Sequence, residues 1–325
     1  VIVAVPIGFA LAMAASIAIA VSGLPIIIIP QQIVAGMNSF PMLAVPLFIL
    51  AGFLMDVGGI SQRLVTLARA LVGHLPGGLG QVVIMAEIFF SGVSGSTSAD
   101  AAAIGGIMVP QLMANGYSRA RSTAIVSAAC GMGILIPPAI VMVVYGVIGN
   151  VSVGALFVAS IAPALLMAVG LMTQIGWQAR REAWPTGERA SFAEVRHAAV
   201  DALLPLSMIV VILGGIRFGL FTPTEAAAVA VAYALLLAGP IYGALPAAEL
   251  WSKIIQTATV SGMVLFVVGA AQLLGWMLAV MQVPQALASS VVGMGGGQVG
   301  FLILTILIFL PLGAILEGVP AVVML

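Results

Sequence analysis

The sequence predicts an all-α polytopic membrane protein, built as an inverted repeat with two re-entrant helical hairpins and with its C-terminal part missing. Three observations predict this. Hydrophobic residues make up 62% of the 325 residues and charged residues only 6%, whereas a soluble domain carries about 25% charge. Apolar runs long enough to cross a bilayer recur along the whole chain, a crossing helix needing about 20 such residues. Two further apolar stretches are interrupted at their centres by small polar residues or by Gly and Pro, which a plain span does not require.

The composition also excludes. Mean hydropathy is +1.27, so disorder, which needs low hydrophobicity and high charge, does not apply. Ten acidic and ten basic residues balance to zero, which gives no case for nucleic-acid binding. Cys130 is the single cysteine and excludes a disulfide framework or a cysteine metal cluster. No transition-metal site and no organic cofactor is expected. The first residue is Val1 rather than Met, so the natural start is expected upstream, and no cleavable signal peptide is visible.

In order along the chain, spans are expected over residues 1–23, 40–57, 122–149, 153–177, 202–219, 225–243 and 257–281. The 122–149 span is long and interrupted. Residues 58–80 place Leu64, Leu67, Ala68 and Leu71 at helical spacing with Arg63 and Arg69 between them, as in an amphipathic helix lying in the interface. Residues 178–201 are the charge-rich segment, and Ser191-Phe-Ala-Glu194 has capping-box form suited to starting a short helix. Residues 81–114 hold two short apolar pieces around Ser91-Gly-Val-Ser-Gly-Ser-Thr-Ser-Ala-Asp100. A hairpin that turns at the midplane fits, because non-helical backbone is tolerated there beside protein or a water-filled cavity. Residues 298–325 read as a second hairpin, cut off on its return limb. Four units follow: 1–80, scaffold helices and an interfacial arm; 81–178, the first hairpin with a broken helix; 179–256, a cytoplasmic loop and scaffold helices; and 257–325, the start of a second repeat.

Charge supports the hairpin independently. If residues 81–114 return to their own side, then Arg63, Arg69, Arg119, Arg121, Arg180, Arg181, Arg189, Arg196 and Lys253 share one face, and Arg217 alone lies opposite. The positive-inside rule makes the crowded face cytoplasmic. Element order also repeats. Leu47-Phe-Ile-Leu-Ala-Gly-Phe-Leu54 parallels Leu265-Phe-Val-Val-Gly-Ala-Ala-Gln272, and Gly77-Gly-Leu-Gly-Gln-Val82 parallels Gly295-Gly-Gly-Gln-Val299. Each pair precedes a hairpin, and the two hairpins enter from opposite faces. Such inverted repeats are the plan of many secondary transporters.

The first hairpin tip offers hydroxyls at Ser91, Ser94, Ser96, Thr97 and Ser98. Its helix N-terminus favours an anion, and hydroxyls and carbonyls suit a hard cation such as sodium. A serine and glycine packing motif between helices is the plainer reading. In Gly131-Met-Gly-Ile-Leu-Ile-Pro-Pro138, Pro137 cannot bond the carbonyl of Gly133, nor Pro138 that of Ile134. Two freed carbonyls near mid-membrane are therefore expected, and the two elements together could clasp one cation. Intramembrane carboxylates are functional suspects by default: Glu87 and Asp100 at the first hairpin, Glu317 at the second tip. Glu225 is explained as a helix cap, and Arg217 as a snorkelling interface residue. Gly92-Val-Ser-Gly95 matches a short nucleophile pattern of intramembrane serine proteases, but no His lies in a span to act as base.

At these residues the sequence resembles the large membrane subunit of tripartite ATP-independent periplasmic (TRAP) transporters. The matching stretches are Ser39-Phe-Pro-Met-Leu-Ala-Val-Pro-Leu-Phe-Ile-Leu-Ala-Gly52, Ser91-Gly-Val-Ser-Gly-Ser96, Ile136-Pro-Pro138 with Tyr145-Gly146, Gly154-Ala-Leu-Phe157 and Phe221-Thr-Pro-Thr-Glu-Ala-Ala-Ala228. The resemblance implies a sodium-coupled elevator-type importer of organic acids in the bacterial inner membrane. It implies two protein partners, a periplasmic substrate-binding protein and a small four-helix membrane subunit. It places one sodium site at Ser91, Ser94, Gly133, Ile136 and Pro138, and a second near Gly313 with a later helix that this sequence lacks. Ser96, Thr97, Asp100 and Glu317, at the two tips, are the expected substrate contacts. Two alternatives remain at this point: a sodium and anion symporter that needs no binding protein, and an intramembrane serine hydrolase.

Overall fold

The computed structural model describes residues 5–95, 97–182, 184–283, 285, 286, 289 and 297–315, and every regular element among them is helical. In order these are α1 (Ile7–Val21), α2 (Ile28–Met37), a 3-10 turn (Phe40–Leu43) running into α3 (Ala44–Val57), α4 (Ile60–Val72), α5 (Gly78–Ser94), α6 (Thr97–Ala114), α7 (Arg119–Gly133), α8 (Ile140–Ile148), α9 (Val153–Glu182), α10 (Phe192–Arg217), α11 (Pro223–Leu236) with a π turn (Leu237–Ile241), α12 (Ala247–Val280) and α13 (Gly297–Ile315). Among the described residues, five helical stretches are long and apolar enough to cross a membrane: Phe40–Val57, Val153–Glu182, Phe192–Arg217, Pro223–Ile241 and Ala247–Val280.

Local signals explain several boundaries. Ser118 caps α7 by accepting the Arg121 N–H. Thr222 and Glu225 form a reciprocal capping box ahead of α11, with Pro223 in its first turn, where a missing N–H costs nothing. Ser191 and Glu194 also form a capping box. It opens the 26-residue helix α10, which continues to Arg217. The expected separate short helix is therefore corrected: nothing between Glu194 and Ala202 stops the helix, and Pro205 lies within it. At 30 and 34 residues, α9 and α12 are about 45 and 51 Å long. They outrun a hydrocarbon core of about 30 Å, so α9 runs on to Glu182 past the expected end at 177, and α12 begins at Ala247 ahead of the expected start at 257. Helix α2 was not anticipated, because Ile28–Met37 is only 10 residues and its Pro30 and paired glutamines break the apolar run.

Small residues bring the helices together, as membrane helices need close backbone approach rather than a hydrophobic driving force. Ala226, Ala227, Ala230 and Ala234 form the buried stripe of α11, which packs along α3. Helices α1 and α2 pack on α12 as a flanking group. There Gly269 approaches the Ile33 carbonyl so closely that an added Cβ would lie 2.7 Å from it. The amphipathic helix expected over 58–80 is α4, but protein covers its apolar stripe. Ile60, Leu64, Leu67, Ala68 and Val72 are buried against α5 and α10, while Leu71, expected on that stripe, is 39% exposed.

Helices α5 and α6 form a hairpin whose two open ends meet the same group of loops. Gly77, at the start of α5, rests on Ile175 and Ala179 of α9. Tyr117, just past α6, stacks edge-on with Trp184 at 4.9 Å. Arg121 pairs with Glu182 at 2.7 Å and lies over the Trp184 ring at 4.7 Å. The Gly187 N–H donates to the Gly73 carbonyl at 3.1 Å. Arg69 bonds Gln111 across the hairpin base. The segments around Gly73, Tyr117 and Trp184 are thus in mutual contact at the base of the α5–α6 hairpin.

Candidate functional site

The site forms where the α5–α6 hairpin meets the break between α7 and α8. Helix α5 ends at Ser94, and Gly95 turns the chain with φ +60°, a left-handed value that glycine adopts without cost. The Gly95 N–H closes the end of α5 by donating to the Ser91 carbonyl at 3.1 Å. A side chain at Gly95 would strike the Pro138 carbonyl, 2.6 Å from an added Cβ. The Ile140 N–H donates to the Gly95 carbonyl at 3.3 Å. The hairpin tip is therefore seated directly on the broken helix.

Beneath the tip lies a buried polar cluster. Glu87 and Ser91 stand one turn apart on α5, and Asp100 sits in the first turn of α6. All three are at most 1% exposed. The Ser91 Oγ lies 2.7 Å from Glu87 Oε1 and 2.6 Å from Asp100 Oδ2. Cys130 on α7 is 3.8 Å from Glu87 Oε2. Gly133 closes the cluster: a Cβ there would be 2.5 Å from Glu87 Oε1 and 3.1 Å from Asp100 Oδ2, and closer still to Ser91 Oγ. A serine hydroxyl has one hydrogen, so it donates to one of its two carboxyl neighbours. The other contact is satisfied when that carboxyl carries a proton or when a cation shares the oxygens.

The break differs from its expected form. Helix α7 ends at Gly133, before the Pro pair, and α8 begins at Ile140. The Gly133 carbonyl is not freed, because the chain tightens after it and the Ile136 N–H donates to it at 2.9 Å. The Leu135 N–H likewise takes the Met132 carbonyl at 2.9 Å. Proline removes the bond four residues back, but a tighter turn three residues back replaces it.

Of the expected ion-site residues, Ser91, Gly133, Ile136 and Pro138 are brought together around the hairpin tip. Ser94 ends α5, with its side chain outside the described residues. Gly313 lies in α13 with no described neighbour within 4 Å of an added Cβ, so it is not brought against this constellation. Of the expected substrate contacts, Thr97 opens α6 and Asp100 faces the buried cluster. Ser96 and Glu317 lie outside the described residues. Cys130 was missed by sequence reasoning, which weighed it only as a disulfide or metal ligand. Its place one turn before Gly133 is the signal that locates it.

The chain matches the family model for the tripartite ATP-independent periplasmic transporter, DctM component, over residues 1–325. It is 39% identical over 324 residues to the protein YgiK of Salmonella typhimurium, covering 98% of this chain and 74% of that one. It is 36% identical to the 2,3-diketo-L-gulonate TRAP transporter large permease protein of Escherichia coli, with 92% of this chain and 70% of that one covered. It is also 36% identical to the sialic acid TRAP transporter large permease protein of Vibrio cholerae, with 98% and 75% covered. A family of transporters rather than enzymes removes the serine hydrolase alternative. With its membrane-length helices and its family-wide match, the chain belongs to the DctM component of the tripartite ATP-independent periplasmic transporters, as a multi-pass membrane protein.

Proposed function

We propose that this chain is the large membrane subunit of a sodium-coupled importer of small organic acids in the bacterial inner membrane. It takes substrate from a periplasmic binding protein and is braced by a small four-helix membrane subunit. Relatives named for 2,3-diketo-L-gulonate, sialic acid and C4-dicarboxylates support the substrate class. The hairpin α5–α6 is re-entrant in this reading, and it moves with α7 and α8 as an elevator against the remaining helices.

The observation that carries the sodium site is the seating of the hairpin tip on the α7–α8 break, through the Ile140 N–H on the Gly95 carbonyl and Gly133 against Ser91. Hydroxyls of Ser91 and Ser94 and carbonyls around Gly133, Ile136 and Pro138 supply neutral oxygens there. Buried Glu87 and Asp100 supply countercharge, and charge attraction is strong where water is excluded. Asp100 therefore serves the ion side, while Ser96 and Thr97 are the proposed contacts of an anionic substrate, which a helix N-terminus favours. Gly313 and Glu317 belong to the corresponding second tip.

The test is sodium-dependent uptake into proteoliposomes by Ser91→Ala and Ser94→Ala. Losing one oxygen ligand of about 1–2 kcal/mol raises the half-saturating sodium concentration about 5- to 30-fold. Unchanged sodium dependence in both variants overturns the assignment.

A further inference from the structure

At the end of the molecule away from the arginine-rich loops lies a cleft of about 1430 Å3. One wall is the corner between α8 and α9, the other is the corner between α10 and α11, and Ser39–Pro41 closes it between them. Its volume exceeds the roughly 300–1,000 Å3 of ordinary small-molecule pockets. The lining is mainly apolar, and Arg217 is its one charged side chain. Lining residues Phe40, Val158 and Phe218 are exposed. Val158 lies in the second turn of the membrane-length helix α9, so at that depth an exposed apolar side chain meets hydrocarbon. The cleft thus opens toward lipid.

Arg217 is the last residue of α10, at the end of a membrane-length helix, where phosphate groups of the bilayer lie. Among the described residues no carboxylate lies within 4 Å of it. The acid nearest in sequence, Glu225, is held by the Thr222 N–H and hydroxyl, each at 2.8 Å. We propose that this cleft is a phospholipid site: an acyl chain from the leaflet on this face fills the apolar space, and its phosphate pairs with Arg217. A guanidinium suits a phosphate because its donors match two oxygens at once. A water-soluble anion would find the charge but would leave the apolar walls uncovered. The occupant would wedge between the α8–α9 and α10–α11 corners.

Gly214 gives a clean test. It lines the cleft, and an added Cβ there meets nothing within 4 Å, so Gly214→Leu starts its side chain in open space of the cleft and places a better helix former in α10. The full chain is purified in detergent and titrated with phosphatidylglycerol, with lipid retention read by native mass spectrometry and stability by thermal unfolding. The wild type is expected to retain phospholipid and to unfold at a higher temperature as lipid is added. Gly214→Leu should lose most of the retained lipid and of the shift, without losing basal stability. Arg217→Gln, an exposed change that leaves the fold alone, should weaken retention about tenfold. Retention and shift unchanged from wild type in both variants overturn the proposal, as does an equal shift with inorganic phosphate alone.

Discussion

Gly133→Ala adds one carbon at the most crowded point of the hairpin's seat. The new Cβ would stand 2.5 Å from Glu87 Oε1 and 3.1 Å from Asp100 Oδ2, and closer than either to Ser91 Oγ. All three side chains are buried, and Ser91 is fixed by both carboxyl groups. None can swing into solvent, so α7 must move away from α5 or the cluster must come apart. Overpacking of this kind costs about 1–3 kcal/mol. If the cost falls on the geometry that binds the ion, the half-saturating sodium concentration rises about 5- to 150-fold. The control is Gly131→Ala, two residues earlier on the same helix, where an added Cβ meets nothing within 4 Å. Sodium titration of uptake in proteoliposomes, with thermal unfolding of the same preparations, separates a damaged ion site from a damaged fold. Gly133→Ala matching Gly131→Ala in both measurements would refute the claim that Gly133 closes the cluster.

Other outcomes test the surrounding scaffold. Gly269→Ala drives a Cβ to 2.7 Å from the Ile33 carbonyl, a backbone atom that cannot rotate aside, and should cost about 1–3 kcal/mol in unfolding, whereas Gly275→Ala in open space should not. Ser191→Ala removes the hydroxyl that accepts the Glu194 N–H and should lower stability by about 1 kcal/mol, seen as a lower unfolding midpoint in detergent. Trp184→Ala removes the ring that Tyr117 and Arg121 both contact. Limited trypsin digestion should then cut faster at Arg189, with unchanged cleavage counting against the loop's role as a clamp.

Much of this was legible because it rests on local patterns. The Ser-rich hairpin and the Gly-rich run ending in a Pro pair each declare themselves by residues that a plain span would not carry. The spacing of the arginines between apolar runs suggested that their loops lie near one another, and Arg121 pairs with Glu182 across two of them. The unreadable parts depend on three dimensions. Along the chain the tip serines and the intramembrane carboxylates are separate candidates, and the fold joins them, with Ser91 Oγ within hydrogen-bond distance of both Glu87 and Asp100. Only the folding of α6 back onto α5 brings residues nine apart in sequence together. The Gly133 carbonyl looked free because proline blocks its usual partner, and the tighter turn that engages it leaves no composition signal. Helix α4 carried a clear amphipathic stripe, but periodicity does not say whether protein or bilayer covers it.

Uptake of a radiolabelled carboxylate into proteoliposomes, with the small membrane subunit and loaded binding protein present, tests the central claim most directly. Sodium gradients of either direction are imposed across the vesicle membrane. The account predicts accumulation with an inward sodium gradient, none with potassium in its place, and none when free substrate replaces the loaded binding protein. Equal accumulation with potassium would contradict sodium coupling, and equal accumulation from free substrate would contradict delivery by the binding protein.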